Sequence, residues 1–140
     1  MRHIEILLLA PWSIRLSKSN GYPFASARQV QIANPVSFLT QKILIQDVRD
    51  RKDRAKDILY IHDTIETFAG NLGELRELFV REIRPKLPVK RAREVSNVAD
   101  ARFGAVDDTI REAAQMVVGR KLSPEALTET CRAGFKAIFE

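Results

Sequence analysis

The sequence predicts an α+β domain, with short N-terminal strands over residues 1–33 and a bundle of about six helices over 34–140, packed together as one domain. Three observations carry that expectation. The chain has 140 residues, a length that suits one compact unit. Its character changes near residue 34: short apolar runs and turn residues precede that point, and apolar residues at helical spacing follow it almost to the end. Its balance of 45% apolar and 29% charged residues is that of a globular chain, neither disordered nor membrane-embedded.

Residues 3–9 are apolar and short, with Pro11 behind them, which predicts a buried strand. Such a strand, apolar on both faces, wants neighbours on both sides. Ser17 to Pro23 is a turn cluster centred on Asn20-Gly21. Val30-Gln31-Ile32 alternates as a second strand would, and Ile14 to Leu16 and Phe24 to Ala27 are further strand candidates.

Asn34-Pro35 reads as a helix start, an N-cap residue followed by proline at the first helical position. Phe38, Leu39, Lys42, Ile43 and Gln46 then share one stripe. The next helix is expected from Asp53, with Ala55, Ile58, Leu59, His62 and Ile65 on its inner face. Gly70 stops it, and Asn71 caps a third helix carrying Leu72, Leu75, Leu78, Phe79 and Ile83. Pro85 and Pro88 break the pattern. A fourth helix spans about Lys90 to Phe103, ended by Gly104. Asp107 or Asp108 caps a fifth, whose face runs through Ile110, Ala113, Ala114, Val117 and Val118. Ser123-Pro124-Glu125 opens the sixth, lined by Leu127, Cys131, Phe135 and Ile138.

Several classes are excluded at this level. No apolar run approaches the roughly 20 residues of a spanning helix. The apolar start is interrupted by Glu5 and has no small-residue cleavage site behind it, so it does not read as a signal peptide. One cysteine, Cys131, allows no internal disulfide, which points to a reducing, cytoplasmic setting. Two histidines far apart, His3 and His62, match no zinc spacing. There is no Gly-x-Ser-x-Gly and no glycine-rich phosphate loop. His62 is expected as a core or rim histidine, and Cys131 as a buried thiol.

The charge balance, 23 lysines and arginines against 18 acids, favours anionic partners. Asp47 to Asp57 alternates in sign between two helices. It is a solvated connection laced with ion pairs, or a place where Arg49, Lys52, Lys56 and the earlier Lys42 point at a phosphate chain. Arg76 to Arg93 holds seven basic residues against two acids, the strongest local excess. It is a solvated face, or a phosphate-contacting nucleic-acid surface using Arg84, Lys86, Lys90 and Arg91. No stacking aromatic accompanies that stretch, so its contacts would be to phosphates and not to bases.

The run from Val30 to Ile45, with Asn34-Pro35 and Lys42, followed by Arg49 and by Arg54-Ala55-Lys56-Asp57-Ile58-Leu59-Tyr60-Ile61, resembles the second half of bacterial nucleotidyltransferase-like proteins. The similar families are the minimal nucleotidyltransferases and the abortive-infection nucleotidyltransferase toxins, and the resemblance covers roughly residues 1–70. It implies that Lys42 and Lys56 face a nucleotide triphosphate and that Arg49 is an anion contact. Asp57 would orient the site, and Glu5 would be a third metal carboxylate. Such enzymes resemble one another in holding Mg²⁺ on the triphosphate with two or three carboxylates. This chain has no Gly-Ser turn and no Asp-x-Asp pair. The resemblance therefore implies a fragment, or a relative retained for binding, that takes Mg²⁺ only with a complementing half. Two other expectations stand beside it: a basic helical nucleic-acid module, and a homodimeric interaction domain.

Overall fold

The computed structural model describes residues 1–140. A one-turn helix α1 (His3–Ile6) leads into an antiparallel hairpin of β1 (Trp12–Leu16) and β2 (Arg28–Ile32). Six helices follow: α2 (Pro35–Leu44), α3 (Arg51–Thr67), α4 (Leu72–Leu78), α5 (Val89–Arg102), α6 (Asp108–Gln115) and α7 (Pro124–Phe139). The architecture is α+β, with a small sheet before a helical bundle.

The first expected strand is not one. Residues 3–6 form α1, and the Glu5 carboxylate accepts a hydrogen bond from the Arg2 amide at 2.9 Å, tying down the first turn. Only Ile6 of this helix is buried, while Ile4 and Leu8 are exposed. The physical reason is the sheet itself. It has two strands only, so no neighbours exist to cover a strand that is apolar on both faces.

The hairpin pairs Trp12 with Ile32, Ile14 with Val30 and Leu16 with Arg28. Strand alternation puts Trp12, Ile14, Val30 and Ile32 on one face and Ser13, Arg15, Gln29 and Gln31 on the other. The Trp12 ring meets the edge of Phe68, centroids 6.0 Å apart, and so seats the apolar face against the end of α3. Phe24 to Ala27, expected as a further strand, precedes β2 as loop, with Phe24 stacked on Tyr22. Asn20-Gly21 turns as expected: Gly21 is left-handed at φ 85°, and Asn20 Nδ2 donates to the Arg15 carbonyl at 2.7 Å.

Asn34 does more than cap α2. Its Oδ1 accepts from the Ser37 amide at 2.8 Å, and its Nδ2 donates to the Leu9 and Ala10 carbonyls at 2.8 and 2.9 Å. Ser37 Oγ donates to the Leu9 carbonyl as well. One side chain thereby starts α2 and holds the turn behind α1, where Ala10 takes the strained φ of 45°.

The α3 helix starts at Arg51, two residues before the expected Asp53, because Asp50 caps it by accepting from the Asp53 amide. The stripe expected for a third helix continues past α4 as a π-helical turn, Phe79–Ile83, and ends at the 3₁₀ turn Arg84–Lys86. The α6 helix stops at Gln115, short of Val117 and Val118, and Val118 is 99% exposed. The chain turns away there through Gly119, at φ 81°. The core runs through Leu39, Ile43, Ile58, Ile61, Ile83, Phe103, Ile110, Leu127 and Ile138.

Candidate functional site

Asp57 lies on the inner side of α3, 1% exposed. A carboxylate so deep must be paired or neutralised. Two cations from other elements meet it. Lys42 Nζ, in the last turn of α2, donates to Oδ1 at 2.7 Å. Arg49 Nε, from the extended residue before α3, donates to Oδ2 at 3.1 Å. The reversal between α2 and α3 is what makes this meeting possible. The 3₁₀ turn Gln46–Val48 carries the chain around, and Asp50 then restarts the helix.

Two positive charges on one carboxylate leave a local excess of one. Lys42 is 13% exposed and Arg49 32%, so both still reach solvent. The Lys42 ammonium also lies 5.4 Å from the centroid of Phe38 and 5.8 Å from that of Tyr60. Beside these two rings opens a shallow cleft of about 240 Å³, also lined by Asp63, Thr64, Thr67 and Phe68. Chemically, the arrangement is a pair of donors fixed on one carboxylate, with two aromatic rings near the lysine, and it suits an anion attached to a flat or apolar group.

Of the four residues that the resemblance assigns to nucleotide, three converge here and Lys56 does not. A helix turns by about 100° per residue, so the neighbour of an inward Asp57 points away. Lys56 Nζ instead pairs with Asp53 at 3.0 Å on the exposed side. Their hydrogen bond lowers the Asp53 carboxyl and raises the Lys56 ammonium relative to their ordinary values. Asp53 in turn lies 3.8 Å from Arg49, which joins this surface pair to the buried one.

Glu5 is exposed on α1 and has spent one carboxylate oxygen on the Arg2 amide. The site role implied for it assumed a strand, and the helix removes that assumption. Nowhere do three His, Cys, Asp or Glu side chains gather to hold a metal.

The basic stretch is less positive in space than in sequence. Lys86 pairs with Glu82 at 3.3 Å, and Lys90 and Arg91 both reach Glu94, at 3.9 and 3.2 Å. Arg84 borders a cleft of about 700 Å³, with Arg93, Ser96 and the apolar Phe79, Leu87, Val89 and Phe139.

His62 is buried, as its stripe predicts, and sits in a cluster that sequence reasoning missed. Its Nδ1 is 3.0 Å from Asp63 Oδ1, a contact with an acceptor that requires the proton on Nδ1. Arg120 Nη2 lies 2.7 Å from the same carboxylate oxygen. Burial alone lifts the Asp63 carboxyl, but hydrogen bonds from Arg120 and His62 outweigh it and hold the group below its ordinary value. Gly119 was the available signal: a left-handed residue after α6 returns Arg120 toward α3. Cys131 is buried on α7, and desolvation pushes its thiol well above the ordinary range, as suits a structural cysteine.

No helix is long and apolar enough to cross a membrane. No family model matches the chain, and neither do any curated protein or solved structure.

Proposed function

We propose that the chain is a nucleotidyltransferase-like domain that binds nucleotide phosphates at the cluster around Asp57 and does not transfer nucleotides by itself. The observation that carries this reading is the convergence of Lys42 and Arg49 on the two oxygens of one buried carboxylate. In this reading Asp57 orients the two donors, which meet the phosphate oxygens. Lys56 adds positive charge at the rim, and the Phe38 and Tyr60 rings flank the base. Preorganised donors are the element such a site needs, because the ordering cost is met on folding and not on binding. Transfer would further need Mg²⁺ held on the triphosphate by carboxylates from a complementing half, such as an Asp-x-Asp pair.

Calorimetric titration with ATP, GTP, CTP and UTP, each with magnesium, tests this. One of the four should bind, and Arg49→Gln should weaken that binding by about tenfold or more, the scale of a lost charge-assisted hydrogen bond. Arg132→Gln, an exposed charge paired with Glu129 on α7, should leave it nearly unchanged. Equal losses in the two variants, or no binding of any nucleotide, would reject the site.

A further inference from the structure

We infer that the β1–β2 ribbon is a docking surface for duplex DNA, seated by its polar face in the major groove. This does not rest on the nucleotide reading and concerns a different part of the molecule.

The first support is charge. From Ile6 to Gln46 the chain carries no Asp or Glu, while Arg15, Lys18 and Arg28 lie on the ribbon and its turn. Lys42, the other cation in that span, belongs to the cluster around Asp57 and not to the ribbon. The ribbon and its turn therefore carry three positive charges and no carboxylate of their own; Arg15 belongs to the polar face, Lys18 to the turn, and Arg28 lies on the Trp12 side over the Phe24 ring. In the other basic stretch, Lys86, Lys90 and Arg91 are offset by Glu82 and Glu94. A polyanion meets uncompensated charge at the ribbon.

The second support is the polar face. Ser13 stands opposite Gln31 and Arg15 opposite Gln29. All four side chains are exposed, and none is hydrogen-bonded within the chain; Arg15 offers only its carbonyl, to Asn20. Arginine and glutamine are the side chains that bond guanine and adenine edges in the major groove, where a two-stranded ribbon fits. The apolar face cannot compete for this role, because Trp12 turns it toward Phe68. The major groove of an RNA duplex is too narrow for a ribbon, so the inference is to DNA.

Fluorescence anisotropy of a labelled mixed-sequence duplex, at low and at physiological salt, tests it. Binding should appear at low salt and fall steeply as salt rises. Replacing Arg15→Ala, Gln29→Ala and Gln31→Ala together should weaken it by at least about tenfold, the loss of one good base contact. Lys90→Ala, which removes the same single charge from α5, should weaken it by less than about threefold. Trp12 is the only tryptophan, so its emission reports whether the ribbon remains seated in each variant. Should the triple replacement unfold the ribbon, Arg15→Gln with Lys18→Ala serves in its place, with the same expected loss. A dye that fills the major groove should displace the protein. The inference fails if no duplex binds at low salt, if the ribbon and α5 variants lose equally, or if a single strand of the same length binds better than the duplex.

Discussion

Lys42 and Asp57 stand 15 positions apart in the chain, yet Lys42 Nζ lies 2.7 Å from Oδ1 of Asp57. This pair, with Arg49 on the other oxygen, ties α2 to α3 across their connecting turn. All three of its members are more than two-thirds buried, so desolvation has been spent on each of them.

Asp57→Ala should therefore cost about 3 kcal/mol of folding stability in urea unfolding followed by circular dichroism, because it strands Lys42 without a partner. Lys42→Ala should cost less, since Arg49 still holds the carboxylate. The double variant should cost less than the two singles together, a coupling that marks direct contact. Additive losses would show that the pair does not act as a unit.

Gly134 brings α7 close against Ile65 of α3. A Cβ there would sit 2.5 Å from Ile65 Cγ2 and 2.7 Å from its Cδ1. Ile65 is buried and has no room to step aside. Gly134→Ala should destabilise by about 1–3 kcal/mol despite alanine's better helix propensity. Pairing it with Ile65→Val should recover part of that loss. A stabilised Gly134→Ala protein would mean the two helices separate freely.

The Asp63 carboxyl is held below its ordinary value of 3.8 by Arg120 and His62, against the upward pull of burial. A depressed carboxyl contributes stability that is fully present above its unfolded value. That contribution is lost as pH falls through the lower folded value. The stability difference between the wild-type protein and Asp63→Asn should hold steady above about pH 5 and shrink toward pH 3. The group is partly exposed, so the effect should be modest and should weaken with salt. A difference independent of pH across that range would show that Arg120 does not sense the charge on Asp63.

The helical bundle was legible because its signals are local. Asn34-Pro35 and Ser123-Pro124 start helices by satisfying amides within one turn, and neither needs a distant partner to be read. The candidate site was legible in part. Lys42, Arg49 and Asp57 were singled out, but the same reasoning added Lys56, whose direction depends on a helix phase that Asp57 alone sets once it is buried. Val117 and Val118 fitted the period of α6 and yet lie outside it, since periodicity does not show where a chain leaves the core.

By itself the sequence determined the α+β class, the order of the six later helices, the caps of α2, α6 and α7 and the acid-free character of residues 6–46, all of which follow from nearest-neighbour chemistry. Only the tertiary structure decided that residues 3–6 coil into a helix, that Arg120 returns to Asp63, and which of the lysines meets Asp57. Each of those outcomes depends on which groups are removed from water together, and burial is a property of the packed chain and not of any segment.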